Sequence, residues 1–220
     1  ALRALDLAYA AVMDGSLPME RVDEAVAHVL KAKQRFADAS AAWDLVGCTE
    51  YRTAAKDIMA AAMTRLDENG ALPKVDEQAF FVGCPAYRAT FASSAPDDGN
   101  TFAQTLAGRF GAGFRVTGVQ PDEQEIQSVL DATRPDQTVV VGTYNGHLNR
   151  GQLALVDALC DAQRKVIAVA LRNPYDLPLL PDIGKIAVYD YSPAALRALI
   201  AALDSGHFYG RLPVHLEESV

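Results

Sequence analysis

Two short polar stretches hold most of the side chains that could do chemistry in this chain. Tyr144, Asn145 and His147 lie in GTYNGH, residues 142–147, and Arg172, Asn173, Tyr175 and Asp176 form RNPYD, residues 172–176. A third stretch, YDYS at 189–192, adds Tyr191. Phenols, amides, an imidazole and a guanidinium fork are groups that can hold a polar ligand, and equally groups that line a contact between domains. Both roles stay open for these eight residues. Asn145-Gly146 can take positive φ and turn the chain sharply, and Asn149 is placed to cap a helix starting near Gly151. Pro174 pushes Asn173 out of helical geometry. Arg172 and Asp176 are spaced for a local ion pair that would hold Tyr175 outward.

Other chemistries find no support. Gly108, Gly111 and Gly113 close a helix and precede a strand, whereas a dinucleotide fingerprint follows a strand and opens a helix. They read as a helix stop. His28, His147, His207 and His215 show no ligand spacing, so no metal is expected. No Gly-x-Ser-x-Gly elbow is present. Cys48, Cys84 and Cys160 are far apart and odd in number, which gives neither a disulfide framework nor a metal site. No cofactor is expected.

The loops must be positioned by the elements that flank them. Residues 139–141 and 166–169 are continuous apolar, mostly β-branched runs on either side of a helical segment, which makes one βαβ unit with a parallel sheet. The polar stretches then fall at carboxyl ends of parallel strands, where open α/β sheets place ligands and contacts. Further strands are expected at 80–82, 114–119 and 186–189, with helices at 49–61, 101–110, 122–132 and 193–203. Asp97, Asp98 or Asn100 is expected to cap the second of these helices, and Pro121 and Pro193 to start the last two. The alternation predicts an α/β fold: a three-layer αβα sandwich with a mostly parallel, doubly wound sheet. Before it, Leu2, Leu5, Tyr9, Val12 and Met13 recur at helical spacing up to Gly15. Val22, Ala25, Val26, Val29 and Leu30 do so again, followed by Lys31, Lys33 and Arg35. This helical hairpin has no sheet of its own. The small, polar residues 37–42 read as a linker, with Trp43 expected to anchor it on a domain surface.

The chain has 220 residues, 50% hydrophobic and 22% charged, with net charge −8 and pI near 4.9. Such a balance disfavours a nucleic-acid surface and attraction to anionic membranes. No apolar run reaches the ~20 residues of a membrane span. Neither a cytoplasmic nor a secreted location is favoured by the N-terminal residues.

VVVGTYNGHLNRGQLALVDAL followed by VIAVALRNPYDL resembles the C-terminal α/β domain of glycoside hydrolase family 3, in its two-domain β-N-acetylhexosaminidase branch. Residues 62–73 (AMTRLDENGALP) resemble the lead-in to that domain, a short strand, an Asn/Gly turn and a Leu-Pro. Residues 210–214 (GRLPV) resemble its exit, and residues 10–36 resemble the last helices of the catalytic barrel. One departure is Thr64-Arg65-Leu66-Asp67-Glu68, where the family usually shows a Thr-Leu-Leu/Val-Lys/Arg-Asn-like run.

In that family the chemistry belongs to the barrel. Retaining hydrolysis needs an acid/base group and a carboxylate nucleophile. The branch carries an Asp-His pair in a Lys-His-Phe-Pro-Gly-His-Gly-like loop and a nucleophile Asp at a Ser-Asp-containing strand end. Neither pattern occurs here; Asp97-Asp98 has no strand leading into it.

The resemblance therefore implies terminal helices of a missing (β/α)8 barrel at 1–36, a linker at 37–47 and a sandwich domain at 48–220. It implies a non-catalytic part of an enzyme that removes terminal β-linked N-acetylglucosamine, as from peptidoglycan fragments. The chain's start at Ala1, without Met, suits that expectation. The expected partner is the barrel of the same polypeptide, and exposed barrel helices would favour a homodimer. The alternative is a free-standing sugar- or phosphate-binding α/β module, with a pocket among the Asn145, Tyr175 and Tyr191 loops.

Overall fold

A computed structural model describes residues 2–37, 43–66, 71–86 and 101–216. The chain divides into two compact units, Ala1–Tyr51 and Arg52–Val220.

The first unit holds helices α1 (Leu2–Met13) and α2 (Met19–Phe36). Gly15, at φ 80°, makes the reversal that ends α1, and Asp14 accepts the Ser16 N–H at 2.8 Å to hold the turn. Lys33 and Arg35 occupy the last turn of α2, where cations complement the exposed carbonyls. No residue of either helix is buried. The stripe read from the sequence therefore lies open: Leu2, Leu5, Tyr9, Met13, Val26, Val29 and Leu30 are all at least half exposed. Trp43, expected to anchor the linker, is 87% exposed among the described residues.

The helix α3 (Thr49–Ala62) runs across the division into the second unit, which is an αβα sandwich. Its strands are β1 (Thr64–Arg65), β2 (Phe80–Gly83), β3 (Gly113–Val116), β4 (Thr138–Thr143), β5 (Lys165–Ala170) and β6 (Gly184–Ala187). They form one sheet in the order β1-β6-β5-β4-β2-β3, parallel except for the short edge pair β1·β6. Four more helices cover it: α4 (Phe102–Phe110), α5 (Glu123–Ala132), α6 (Arg150–Asp161) and α7 (Pro193–Ser205).

The period of two along each strand decides what lies on which face. Phe81, Val140, Ile167, Val169 and Ile186 pack with Phe102, Leu106, Leu196 and Leu199 of α4 and α7. Their alternates Phe80, Val82, Val139, Val141, Val166 and Ala168 pack with Val129, Leu155, Val156 and Leu159 of α5 and α6. Because the central strands are buried on both faces, they read as unbroken apolar runs rather than alternating ones.

Local chemistry sets the helix ends. The cap of α4 is Thr101, whose Oγ1 accepts the Gln104 N–H at 3.2 Å; the expected Asp97, Asp98 and Asn100 lie outside the described residues. Gly111 ends α4 at φ 67°, which makes the glycine cluster a helix stop. Asp122 is the cap of α5 rather than its first residue, and it closes a capping box with Glu125.

Two strands end earlier than the sequence predicts. Strand β3 stops at Val116 because the groups beyond are taken by helices: Glu125 accepts the Gly118 N–H at 2.7 Å and Gln152 donates to the Val119 carbonyl at 2.7 Å. Strand β6 stops at Ala187, two residues before Tyr189 turns the backbone to φ 65°. The family-like lead-in and exit meet at β1: the Gly210 N–H donates to the Met63 carbonyl at 2.8 Å, and the Tyr189 hydroxyl to Thr64 Oγ1 at 2.9 Å. The Asn69-Gly70 turn lies outside the described residues.

Candidate functional site

Strands β4, β5 and β6 are parallel neighbours, so the segments that follow them share one edge of the sheet. The three polar stretches come together there, but not all their side chains face out. Tyr144, Asn145, Asp176 and Tyr191 are buried; His147, Arg172 and Asn173 are half-buried; Tyr175 is 47% exposed.

The buried members brace the loops against one another. Asn145 takes φ 53° and makes the turn itself, while Gly146 stays at ordinary φ. Gly146 is needed for space: a Cβ there would sit 3.0 Å from Asp176 Oδ2 and 3.1 Å from Leu153. Asn173 Nδ2 donates to Asn145 Oδ1 at 2.9 Å, and the Gly146 N–H donates to Asp176 Oδ2 at 3.2 Å. Asn149 is the N-cap residue of α6, but its side chain makes no cap bond and instead donates to the Tyr144 and Asn145 carbonyls at 3.2 and 3.1 Å. That corrects the capping role expected of it.

The expected ion pair between Arg172 and Asp176 is also corrected. Arg172 reaches back to Tyr144, donating to its hydroxyl at 3.0 Å with the guanidinium carbon 5.7 Å from the ring centre. Asp176 turns inward on the 3-10 turn Pro174–Leu179. Burial pushes its carboxyl above the usual carboxylate range, while the Thr143 hydroxyl, the Gly146 N–H and His147 pull the other way. Its Oδ1 has no hydrogen-bond partner among the described residues. Tyr175 is left outward, edge-on to the His147 ring at 5.7 Å.

Tyr191 serves the core. Its hydroxyl accepts the Phe102 N–H at 2.9 Å and donates to the Cys84 carbonyl at 2.8 Å, and its ring lies edge-on to Tyr144 at 5.6 Å. These contacts occupy the place where the strand order reverses, between β2 and β4, which is the usual ligand crevice of doubly wound sheets. Phe102 fills it: a Cβ on Gly142 would lie 2.5 Å from its ring, and one on Gly83 3.2 Å. Gln152, buried, donates to the Val119 carbonyl and accepts the Tyr144 N–H at 2.8 Å. Sequence reasoning missed Gln152 and Phe102, whose signals, a glutamine one turn into a helix and a phenylalanine after a threonine, are too ordinary to stand out.

The outward members border a shallow groove of about 460 Å3, to which Arg150 and His215 also contribute. No group of three or more His, Cys, Asp or Glu suited to a metal ion occurs among the described residues. Burial raises the Cys84 thiol to about 11, which makes it a poor nucleophile. No described helix is long and apolar enough to cross a membrane.

No protein-family model and no curated protein matches the sequence. Solved structures do. A glycoside hydrolase family 3 β-N-acetylglucosaminidase from Paenibacillus sp. str. FPU-7 matches over 99% of this chain with 29% identity and a TM-score of 0.68. A fungal multi-domain β-N-acetylglucosaminidase of the same family matches over 97% at 20% identity and TM-score 0.64. A β-glucosidase from Listeria innocua matches over 91% at 16% identity and TM-score 0.59. At those identities the last two show a shared fold. The chain spans 43%, 25% and 33% of these three proteins. The sandwich and the match to the Paenibacillus enzyme make this chain similar to part of the glycoside hydrolase family 3 enzymes, in keeping with their C-terminal α/β domain.

Proposed function

We propose that this chain is the non-catalytic C-terminal portion of a β-N-acetylglucosaminidase-type enzyme, and that residues 1–36 are the closing helices of its barrel. The observation that carries the reading is the match to the Paenibacillus enzyme, which runs through 99% of this chain and only 43% of that one. The open apolar stripes of α1 and α2 support it, because such faces call for a covering surface. A barrel of the same polypeptide is the partner that fits the family. The amino-sugar substrate rests on the same neighbour.

The sandwich would serve as a scaffold. Its β4, β5 and β6 loops are cross-braced from within, so His147, Arg172, Asn173 and Tyr175 are held in fixed positions toward a partner surface. The chain alone is expected not to hydrolyse glycosides, because the acid/base loop and the nucleophile Asp that the family carries on its barrel have no counterpart in these 220 residues. Reading the coding region upstream of the Ala1 codon tests the proposal. An in-frame barrel with an Asp-His loop and a nucleophile Asp is expected. A start codon directly before Ala1 would overturn the reading.

A further inference from the structure

We propose that His147 and Asp176 form a proton-operated clasp between the β4 loop and the 3-10 turn after β5, closed when His147 carries a proton on Nδ1 and donates it to Asp176 Oδ1. Two side-chain atoms among the described residues are buried without a hydrogen-bond partner, and they are this Nδ1 and this Oδ1. They belong to residues that adjoin in space. The amide next to His147, that of Gly146, donates to Asp176 Oδ2 at 3.2 Å, and a Cβ on Gly146 would lie 3.2 Å from the Asp176 Cβ. The residue before Asp176, Tyr175, is edge-on to the His147 ring at 5.7 Å. Imidazole and carboxylate are thus brought together through both of their chain neighbours.

Without a proton on Nδ1 neither atom can donate to the other, because an ionised carboxylate and an unprotonated ring nitrogen both only accept. One proton from solvent resolves both atoms. It forms a single N–H bond, no bond breaks, and the imidazolium then donates to the carboxylate. A charge-assisted bond of this kind is strong where water is excluded, and Asp176 is fully buried. Burial disfavours the charge on Asp176, and His147 acts on it in the opposite sense. Imidazole is the side chain whose ordinary range lets it take up and release a proton between about pH 5 and 8.

The other charged or titratable groups around the pair, among the described residues, do not take its place. Arg150, at the start of α6, and His215 border the same groove as His147 and oppose a positive charge on it. The Asp176 carboxylate favours that charge, and does so from a buried position where screening by water is least. Arg172 is held at the Tyr144 hydroxyl, and Leu153, which α6 sets against Gly146, carries no charge. Thr143 and Gly146 bind the carboxylate without neutralising it. The clasp therefore sets how firmly Tyr175 is presented at this edge of the sheet. The inference rests on the two loops and holds whether or not a barrel precedes the chain.

The folded pair holds its proton more tightly than the unfolded chain does, so its contribution to stability is present at the lower pH and lost as pH rises. The test is a double-mutant cycle on the 220-residue chain: thermal melts of the parent, His147→Phe, Asp176→Asn and the double variant at about pH 5.5 and about pH 8. At the lower pH, His147→Phe is expected to lower Tm about 2–4 °C more in the parent than in the Asp176→Asn chain. At the higher pH the two drops should agree to within about 1 °C. His207→Phe, at an exposed histidine after α7, should show no such difference at either pH. Nitrogen-15 NMR of the parent reads the proton without any variant. At the lower pH a proton on His147 Nδ1 should exchange at least about tenfold more slowly than those of His207. Coupling absent at the lower pH, coupling equal at both, the same coupling from His207, or a fast-exchanging Nδ1 proton would each overturn the proposal.

Discussion

Asp176→Asn is expected to stabilise the sandwich at neutral pH, although it removes the charge from a fully buried carboxylate that accepts a backbone N–H. Asp176 is 0% exposed, its Oδ2 takes the Gly146 N–H at 3.2 Å, and its Oδ1 has no partner among the described residues. Leaving a buried polar atom unsatisfied costs about 1–3 kcal/mol, and more if it is charged. An asparagine keeps an acceptor for Gly146 and removes the buried charge. The loss is the charge-assisted part of the hydrogen bonds from the Thr143 hydroxyl and the Gly146 N–H, roughly 1 kcal/mol. The balance favours Asn by about 1 kcal/mol, or a rise in Tm of roughly 2–4 °C. Asp176→Ala removes the acceptor as well, leaves Gly146 unpaired and should cost about 1–3 kcal/mol.

The pH dependence gives a second handle on the same residue. The folded-state pKa of Asp176 lies above its unfolded value of 3.8, so between the two the folded chain binds more protons. Its contribution to stability therefore falls as pH rises from the unfolded pKa through the folded one, and stays low above that. The advantage of Asp176→Asn should shrink toward zero below the unfolded pKa. Urea denaturation of parent, Asn and Ala variants across acid and neutral pH reads all of this. If Asp176→Asn destabilises as much as Asp176→Ala at neutral pH, the reasoning fails, because the carboxylate charge must then be satisfied.

Three further outcomes follow from the same geometry. Gly142→Ala places a methyl 2.5 Å from the Phe102 ring and 2.9 Å from Leu171, so about 1–3 kcal/mol of stability should be lost in denaturant melts. Tyr191→Phe leaves the Phe102 N–H and the Cys84 carbonyl unpaired in the core and should cost about 2 kcal/mol; a loss under a few tenths would mean that the hydroxyl is not their partner. With a chromogenic β-N-acetylglucosaminide, the chain alone should release product no faster than buffer, and a rate that scales with protein concentration would contradict the non-catalytic reading.

The fold was legible in the chain because its causes are local and periodic. Continuous apolar runs at 139–141 and 166–169 can only be buried on both faces, and Gly111 and Pro193 mark helix ends through their own backbone preferences. The match in order of lead-in, βαβ unit and exit supplied the family resemblance. The site was legible only as a location: polar residues after parallel strands. Which side chains face solvent was not. Arg172 pairs with Tyr144, 28 residues away, rather than with Asp176 on the next turn. Tyr191 reaches Phe102 and Cys84, 89 and 107 residues away.

Spacing along the chain can propose only neighbours in sequence, whereas these partners follow from strand order. Once β6, β5 and β4 lie side by side, their loops compete for one edge. The inward positions go to groups whose donors and acceptors can be met there. The sequence by itself determined the layers, the order of strands and helices along the chain, and the family likeness. Only the tertiary structure decided that four of the eight candidate residues are internal braces, and that His147, Arg150, Tyr175 and His215 line one groove. A hydrogen bond or a lining is a fact about distance in space, and the sheet, not the spacing, sets that distance.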